Sequence, residues 1–495
     1  MKMPDPDQAT IARRREIARD LNRIVPGEGV IVEESELRAY ESDGLTAYRQ
    51  IPLIVVLPST TEEVSQVLAY CNEQGIKVVP RGAGTSLSGG ALPLADGILL
   101  GLGKFNRILE VDFDNRCAVV QPGVTNLGIT KAVEHAGFYY APDPSSQIAC
   151  TIGGNVAENS GGVHCLKYGL TTNNLLGLKM VMIDGTVVEI GGKHLDSEGY
   201  DLLGLMTGSE GLLGVVTEVT VRILRKPETA RALLLGFETS EAAGDTVASI
   251  IAGGIIPGGM EMMDKPAIHA AEAFVQAGYP LDVEALLIVE LDGPEVEVDQ
   301  LIEQVSEIAR GQGATTIRVS QNDEERLAFW AGRKAAFPAV GQISPDYYCM
   351  DGTIPRHQLA KVLGRMTELA SHYGLRVANV FHAGDGNLHP LILYDANKPG
   401  ELEKAEEFGA DILKLCVEVG GVLTGEHGVG VEKRDLMGTM FTETDLDQQQ
   451  RVKCAFDPDA LLNPGKVFPQ LHACAELGRV HIHRGQMRFP DLPRF

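Results

Sequence analysis

The segment at residues 80–90, PRGAGTSLSGG, constrains the fold more than any other part of the chain. It directly follows an apolar run at 77–79 that predicts a β-strand. Its glycines allow several backbone N–H groups to approach one anion, as the binding of a diphosphate requires. Leu87 at the third glycine position rules out a Rossmann fingerprint, and the lack of Gly-Lys-Ser/Thr rules out a Walker loop. The alternative to a phosphate-binding loop is a glycine-rich surface turn.

Two later segments have the same composition. Residues 142–146 read PDPSS and lead into CTIGGN at 150–155 and NSGG at 159–162, and residues 207–216 read TGSEGLLGVV. Small residues at this density let a flat heteroaromatic ring lie against the backbone, with N–H and hydroxyl donors at its polar edge. Three such segments favour a nucleotide-like ligand over three unrelated turns.

The charge balance excludes one large class of function. The chain of 495 residues has a formal net charge of −24, and no basic stripe interrupts it, so we expect no nucleic-acid partner. The run Arg13-Arg14-Arg15 is followed by Glu16 and Asp20, which is typical of a surface helix. We expect a cytoplasmic protein, because the sequence shows no signal-peptide stretch and no segment long enough to span a bilayer.

The eight cysteines are scattered along the chain, without a C-x-x-C pair. This spacing argues against a structural zinc finger and against the ligand set of an iron–sulfur cluster. We therefore expect most of them to be buried, reduced thiols.

Apolar periodicity predicts an α+β chain with four parts. Residues 1–50 are expected to form a helical lead-in, 51–228 a first domain, 229–455 a second domain, and 456–495 a segment that returns to the first domain.

One amphipathic helix and two hairpins are the clearest local predictions. The helix is expected at 61–74, with Ser59 or Thr60 as its N-cap. Asp184-Gly185 predicts a two-residue hairpin turn. Strands of the first domain are predicted at 54–57, 77–79, 98–102, 117–120 and 215–224, with a hairpin at 178–190. The second domain is predicted to contain strands at 232–237, 285–291 and 315–319, helices at 297–310 and 400–419, and a hairpin at 375–394.

In their order along the chain, the three glycine-rich segments resemble those of FAD-linked oxidases with the vanillyl-alcohol oxidase fold, over residues 50–470. The resemblance implies a two-part FAD-binding domain and an α+β cap domain with an antiparallel sheet, which holds the substrate. Some members of this fold attach FAD through His or Cys in the diphosphate loop. Residues 80–90 contain neither, so we expect non-covalent FAD, with His164 and Cys165 as the nearest alternatives for a covalent bond.

The resemblance also implies which residues contact FAD. Expected near the diphosphate are Arg81, Gly82, Ala83, Gly84, Thr85, Ser86 and Gly89. Expected near the ring and ribityl chain are Pro142, Asp143, Ser145, Thr151, Gly153, Gly154, Asn155, Asn159 and Gly161. Expected on the adenosine side are Glu210, Gly211, Gly214 and Val216, and the stretch LNPGK at 462–466 adds Asn463 and Lys466.

Residues 381–389, FHAGDGNLH, are the sharpest local signal of a metal site. If Asp385-Gly386 forms a two-residue turn, His382 pairs with His389 across a hairpin. The two imidazoles would then share one face of the sheet with Cβ atoms roughly 5 Å apart. That geometry suits a pair of metal ligands. The alternative is two histidines that merely stack on a sheet face.

A second short segment, TGEHG at 424–428, supplies a carboxylate beside another histidine. Adjacent residues of extended backbone point to opposite sides, so Glu426 could join His382 and His389 while His427 faces the substrate. Zinc fits two histidines and one carboxylate best, with manganese or iron as alternatives, and an open position would remain for a substrate oxygen. A metal hydrolase in which Glu426 activates water is the rival hypothesis, and it leaves the glycine-rich segments unexplained.

Within the fold, this arrangement resembles the branch of D-lactate, D-2-hydroxyglutarate and glycolate dehydrogenases. The resemblance implies that the metal orients a 2-hydroxy acid, that His427 accepts its hydroxyl proton as hydride leaves C2 for FAD, and that Arg333 binds its carboxylate. A neutral histidine is suited to accept the proton, and a guanidinium is suited to bind the carboxylate. The D-2-hydroxyglutarate enzymes have a lysine near 347–350, where this chain reads YYCM. A small monocarboxylate is therefore expected, glycolate first and D-lactate second.

The glycolate-oxidising members of this branch imply partners. Their FAD subunit passes electrons to a second flavin-fold subunit and an iron–sulfur subunit, and these pass them on to the respiratory chain. We expect the same here, with contact to the inner face of the cytoplasmic membrane only through those partners. A flavin-retaining sensor is the non-enzymatic alternative, but a sensor has no use for a base at His427.

Overall fold

The first domain contains two β-sheets in the computed structural model, which describes residues 3–194 and 199–469. The mixed sheet has the order Val30–Ile31, Ile54–Val56, Gly97–Gly101 and Lys77–Arg81, and its last three strands are parallel. The other sheet is antiparallel, in the order Ile108–Asp112, Cys117–Val120, Val215–Arg222, Leu175–Val181 and Val187–Gly191. A separate two-stranded pair joins Phe138–Tyr139 to Leu224–Arg225.

Helix Thr61–Gln74 forms where the amphipathic pattern predicts it. Thr60 is its N-cap, because its hydroxyl accepts a hydrogen bond from the backbone N–H of Glu63 at 3.1 Å. Gly75 ends the helix in the left-handed conformation, at φ 65°. The apolar face packs on the mixed sheet. The other helices of this domain are Gln8–Ala12, Arg14–Ile24, Glu34–Leu37, Asn126–Val133, Ile152–Glu158, Cys165–Tyr168 and Leu202–Met206, with 3-10 turns at Arg38–Tyr40, Glu134–Ala136 and Thr171–Asn174.

A seven-stranded antiparallel sheet forms the centre of the second domain, as the resemblance implied. Both of its faces are buried: Leu233, Leu235 and Phe237 point into one apolar cluster, and Ala232 and Leu234 into the other. The strand that contains these residues, Thr229–Phe237, is therefore a continuous apolar run in the sequence rather than an alternating one. The strand order is Thr316–Val319, Thr229–Phe237, Ala285–Gly293, Gly259–Asp264, Arg376–Phe381, Pro390–Tyr394 and Asp346–Cys349.

Helices cover both faces of this sheet. The long ones are Ser240–Ala252, Lys265–Val275, Glu295–Gly311, Asp323–Val340, Leu359–Tyr373 and Glu401–Glu418. Shorter elements complete the domain: 3-10 turns at Arg356–Gln358 and Arg434–Leu436, helices Met437–Met440 and Glu443–Phe456, and a two-stranded pair of Gly352–Thr353 with Asn387–Leu388. The α+β class is thereby confirmed.

Both Asp-Gly pairs lie in hairpin loops, but the loops are longer than predicted. Three residues, 183–185, connect the strands of the first hairpin, and four, 383–386, connect those of the second. In the second, His382 pairs with Asn387 rather than with His389. The two-residue prediction is wrong in both cases, because a type I′ turn needs two left-handed residues and each loop has one, its glycine.

Both ends of the described chain pack against the mixed sheet. Ile17 and Leu21 belong to the apolar cluster of that sheet. Near the other end, the backbone N–H of Val78 donates to the carbonyl of Leu461 at 2.8 Å, and the N–H of Asn463 donates to the carbonyl of Val78 at 2.7 Å. The residues after 457 therefore lie beside the first domain. The rest of the predicted tail, 470–495, lies outside the described residues.

Two further expectations concern the cysteines and membrane-spanning helices. Six of the cysteines are buried free thiols, as expected: Cys71, Cys117, Cys150, Cys165, Cys349 and Cys416. Among the described residues, no helix is both long and apolar enough to cross a bilayer.

Candidate active site

A cleft of about 660 Å³ lies between the two domains. From the second domain it is lined by Lys334, Phe337, Pro338, His389, Glu426 and His427. From the first domain it is lined by most of the residues expected to contact FAD: Arg81, Gly82, Ala83, Gly84, Thr85, Ser86, Ser145, Thr151, Gly153, Gly154, Asn155, Glu210, Gly211, Gly214 and Val216. The fold thus brings all three glycine-rich segments to one cavity.

The loop after strand Lys77–Arg81 presents its backbone to the cleft, because side chains cannot fit there. Gly84 has a φ of 71°, and a Cβ on it would overlap the guanidinium of Arg81. A Cβ on Gly82 would lie 2.5 Å from the hydroxyl oxygen of Thr151. The Arg81 side chain folds back and donates to the carbonyl of Ser42 at 2.7 Å. An anion can therefore approach the backbone N–H groups of this loop closely.

The remaining residues expected to contact FAD do not line the cleft: Gly89, Pro142, Asp143, Asn159, Gly161, Asn463 and Lys466. Asn463 and Lys466 are buried behind the residues that line the cleft. The amide of Asn463 donates to the carbonyls of Gly90 at 2.9 Å and Glu210 at 2.7 Å. The ammonium of Lys466 donates to the amide oxygen of Asn463 at 2.6 Å and to the carbonyl of Leu92 at 2.7 Å. These two residues hold the loops in place.

Gly161, in the first domain, packs against Glu426 of the second domain, one of the predicted metal ligands. A Cβ at this position would lie 2.7 Å from Oε2 of Glu426 and 3.3 Å from Sγ of Cys165. A larger residue at 161 would displace the side chains of Glu426 and Leu170, whose end atoms would lie 2.7 Å and 2.9 Å from the added Cβ.

His164 connects Asp143, in the second glycine-rich segment, to Glu290 of the second domain. Its Nδ1 lies 2.8 Å from Oδ2 of Asp143, and its Nε2 lies 3.1 Å from Oε1 of Glu290. Burial opposes a charge on the ring, yet these two carboxylates raise the pKa of His164 well above its ordinary value. Both ring nitrogens contact carboxylates, and neither His164 nor Cys165 lines the cleft.

His382, His389 and Glu426 come together as the sequence suggested, although by a different register. His389 lies opposite Val380, so His382 is its diagonal neighbour on the same sheet face. The ring centroids are 4.9 Å apart at 84°. Oε1 of Glu426 lies 3.1 Å from Nε2 of His382 and 3.4 Å from Nε2 of His389. A register shift of two residues keeps every side chain on its face, which is why the wrong pairing still gave the right neighbours.

Glu261 holds His382 from behind, and sequence reasoning missed it. Its Oε1 lies 2.7 Å from Nδ1 of His382, and its Oε2 lies 2.7 Å from Nη2 of Arg333. Burial lowers the pKa of His382, but Glu261 and Glu426 raise it well above its ordinary value. The carboxylates that favour a proton on this ring also favour a metal cation beside it.

Arg333 lies away from the cleft, and its expected contact with the substrate carboxylate stays a prediction. Its side chain is 1% exposed, pairs with Glu261 and does not line the cleft. The residue that faces the cleft is the next one, Lys334. The guanidinium pairs with the buried carboxylate of Glu261, which is 72 positions away in the chain, and no local sequence pattern reveals that partner.

His427 lines the cleft and stacks on His389, with centroids 4.9 Å apart at 10°. Burial lowers the pKa of His427 to about 4, so the ring is neutral at neutral pH and can accept a proton. Its Nδ1 is the buried nitrogen and lies 4.0 Å from Oδ2 of Asp351.

Asp351 organises the segment that carries Glu426 and His427. Its carboxylate accepts from the backbone N–H groups of Gly425, Glu426 and His427, at 3.1 Å, 3.2 Å and 2.9 Å. Burial opposes its charge, but the ammonium of Lys433 at 3.2 Å helps keep the pKa of Asp351 well below its ordinary value. Asp351, His389 and His427 lie close enough to form a second possible ligand group. The carboxylate of Asp351 is already committed to these donors, which makes it a support rather than a ligand.

Comparison with known proteins agrees with this geometry. Residues 52–191 match the FAD binding domain, and residues 226–467 match the C-terminal domain of FAD linked oxidases. The chain belongs to the FAD-linked oxidases. It is 56% identical over 493 residues to the glycolate oxidase subunit GlcD of Escherichia coli (strain K12), covering 100% of this chain and 98% of the relative.

Other relatives are more distant. The glycolate oxidase subunit GlcD of Bacillus subtilis (strain 168) is 40% identical, covering 87% of this chain and 92% of the relative. A D-lactate dehydrogenase of Archaeoglobus fulgidus is 36% identical, covering 84% of this chain and 92% of the relative. Among solved structures, 4-ethylphenol oxidase from Gulosibacter chungangensis has a TM-score of 0.78 at 19% identity, covering 95% of this chain and 99% of that one. That likeness places the fold with the vanillyl-alcohol oxidase type.

Proposed function

We propose that this FAD-linked oxidoreductase oxidises glycolate to glyoxylate. The observation that carries the proposal is the position of His389, Glu426 and His427 on the cleft that the three FAD segments also line. A 2-hydroxy acid held there has its hydroxyl beside a neutral histidine and its C2 beside the FAD site. The 56% identity to a glycolate oxidase subunit over the full length supports glycolate as the substrate.

A divalent metal, zinc by ligand type, is part of the proposal. His389 is 2% exposed, and neither of its ring nitrogens has a hydrogen-bond partner among the described residues. Buried polar atoms without partners are rare in native proteins, and a cation between His382, His389 and Glu426 would satisfy Nε2 of His389, the nitrogen that lies 3.4 Å from Oε1 of Glu426. When bound, the ion supplies Lewis acidity that makes a coordinated hydroxyl more acidic. FAD, when bound, supplies the acceptor for hydride.

The protein's own groups then divide the work. His427 accepts the hydroxyl proton, and Nε2 is the atom assigned to this step because Nδ1 is buried toward Asp351. Asp351 fixes the backbone that positions the ring.

D-lactate is the second candidate substrate. The D-lactate dehydrogenase relatives support it, and the stretch 347–350 offers no lysine for the distal carboxylate of a dicarboxylic acid. Both small acids fit the same groups, so the choice between them is one of rate.

We further propose that the chain works as one subunit of a complex. Among the described residues, the groups that could hold a metal contain no cysteine, so an iron–sulfur relay has to come from elsewhere. A second flavin-fold subunit and an iron–sulfur subunit would carry the electrons to the respiratory chain. At a net charge of −24 the chain is repelled by anionic lipid, so docking on the inner face of the membrane would depend on these partners.

A substrate panel tests this proposal. The FAD-loaded protein is assayed with an artificial dye acceptor and glycolate, D-lactate, L-lactate or D-2-hydroxyglutarate. We expect the highest kcat/KM for glycolate, then D-lactate. A higher value for D-2-hydroxyglutarate, or no turnover of any of the four, would contradict the proposal. Full dye-linked rates with oxygen as the acceptor would remove the need for partner subunits.

A further inference from the structure

Glu158 places a carboxyl group between the expected diphosphate loop and the segment that carries His427. It is the last residue of helix Ile152–Glu158 and lines the cleft. A Cβ on Gly90 would lie 2.8 Å from its Oε1, and a Cβ on Gly428 would overlap its Oε2. The two glycines therefore leave room for this one side chain.

A second carboxyl group, that of Glu210, lies beside the first. Glu210 is 6% exposed and also lines the cleft. The same Cβ on Gly428 that would overlap Oε2 of Glu158 would lie 3.0 Å from Oε1 of Glu210, so the two carboxyl groups adjoin each other. Neighbouring carboxyl groups resist ionising together, because their charges repel each other. One of the two is therefore expected to keep its proton.

The hydrogen bonds decide which of the two is ionised. The carboxylate of Glu210 accepts from the backbone N–H groups of Val429 and Gly430, both at 2.7 Å. Oε2 of Glu158 is buried and has no hydrogen-bond partner among the described residues. Amide donors stabilise a carboxylate, whereas burial without a donor favours the neutral acid. A proton held by the pair therefore lies on Glu158.

The charged groups around the pair do not reverse this assignment. Burial and the neighbouring carboxylate raise the pKa of Glu158 well above its ordinary value, and Asp43 acts in the same direction. Two lysines act in the opposite direction on the pair, but neither forms an ion pair with it within residues 3–194 and 199–469. Lys433 pairs with Asp351 at 3.2 Å instead, and burial lowers the pKa of Lys466 to about 7.

The charge of Glu158 matters for the binding of FAD. Its Oε1 faces the loop expected to hold the diphosphate, because the Cβ on Gly90 that would contact this oxygen would also lie 3.6 Å from the hydroxyl oxygen of Ser86. Arg81, the cation of this loop, already donates to the carbonyl of Ser42. An ionised carboxylate at Glu158 would repel the phosphates of FAD, whereas a neutral carboxyl group would not.

We propose that Glu158 and Glu210 share one proton and that FAD binds to the form in which Glu158 is neutral. The pair is then a determinant of cofactor binding that also holds a proton. This inference goes beyond the proposed function, because it holds whichever substrate the protein oxidises. Since a single proton is involved, the affinity for FAD should fall by about tenfold per pH unit at most once the pair ionises.

Infrared spectroscopy tests the proton. The spectrum of the FAD-loaded Glu158→Gln protein is subtracted from that of the unchanged protein, so that the other protonated acids cancel. At neutral pH we expect the difference to show the carbonyl band of a protonated carboxyl group, and carboxylate bands alone would overturn the inference. Glu158→Met is a second neutral reference if Gln impairs folding. Glu307→Gln, a matched change of an exposed glutamate outside the cleft, should give carboxylate bands only.

Release of FAD tests the consequence. The loaded proteins are diluted across the pH range in which they stay folded, and the Kd is obtained from the fluorescence of free flavin. In the unchanged protein we expect a constant Kd wherever the carbonyl band persists and a rising Kd wherever it disappears. In Glu158→Gln the Kd should stay constant throughout. A Kd that changes independently of the band, or that rises as steeply in Glu158→Gln, would overturn the inference.

Discussion

Replacing Glu261 by Gln tests how the histidine pair is held. Glu261 is 1% exposed and accepts from His382 on one oxygen and from Arg333 on the other. The substitution keeps the shape but removes the charge, and it turns one of the two acceptors into an N–H donor. One of the two donors, His382 or Arg333, then loses its acceptor, and His382 loses the negatively charged partner that directs its Nε2 toward Glu426.

The size of the effect follows from these contacts. Loss of an outer partner of a ligating histidine lowers metal affinity about 10–100-fold, or about 1.4–2.7 kcal/mol. Glu261→Gln also leaves the buried guanidinium of Arg333 without a counterion, which costs about 3–5 kcal/mol of folding stability. The double variant Glu261→Gln/Arg333→Met removes both charges, so it should regain much of the stability but not the metal affinity.

The assay is zinc competition with a fluorescent chelator, run beside thermal denaturation of the same FAD-loaded samples. Two results would refute the reasoning: zinc affinity equal to that of the unchanged protein in Glu261→Gln, or affinity restored in the double variant. The first would mean that Glu261 does not orient His382. The second would mean that Arg333, rather than the histidine, transmits the effect.

Three further predictions follow from the site. The isolated protein should be yellow and should release all of its FAD on acid precipitation, since residues 80–90 contain no His or Cys and neither His164 nor Cys165 lines the cleft; flavin retained in the pellet would contradict this. His427→Asn should keep FAD bound and cut turnover by about a hundredfold or more, measured by steady-state kinetics with dye; a near-normal rate would place the base elsewhere. His164→Asn should destabilise the protein most at low pH, because a raised folded-state pKa gives stability that is complete below the unfolded value of about 6.5 and lost as pH rises through the folded value. Thermal denaturation across pH should show the difference from the unchanged protein shrink as pH rises, and a constant difference would show that His164 stays neutral.

Local patterns located many of the strands, but the predictions did not include the long helices Ser240–Ala252, Lys265–Val275, Asp323–Val340 and Leu359–Tyr373. The helix at Thr61–Gln74 has its own periodicity and caps, and the strand at Val215–Arg222 has its own alternation, so the sequence located both. Hairpin loops were harder, because an Asp-Gly pair marks a bend without fixing its length. The strand order of the seven-stranded sheet depends on contacts between distant segments, and no single segment encodes it.

In the candidate site, too, residues in local motifs could be predicted, and residues brought in by distant segments could not. His382, His389 and Glu426 lie in short polar motifs set among glycines, and such motifs are visible in a sequence. Glu261 is a lone glutamate in the apolar strand Gly259–Asp264, and only the folded sheet shows that it faces His382. For the same reason the sequence could not tell which of two adjacent cations, Arg333 or Lys334, faces the cleft.

The contact between Gly161 and Glu426 limits how this protein can be recombined with its relatives. Position 161 belongs to one domain and the carboxylate it accommodates belongs to the other. A chimera that takes its cap from one parent and its nucleotide domain from another inherits this contact from two sources. If the parent of the nucleotide domain lacks glycine at this position, the chimera keeps the carboxylate in place only when the loop at 159–162 comes from the same parent as the cap. Crossover points for domain exchange therefore belong before that loop, even though the boundary in the chain lies more than 60 residues later, near 228.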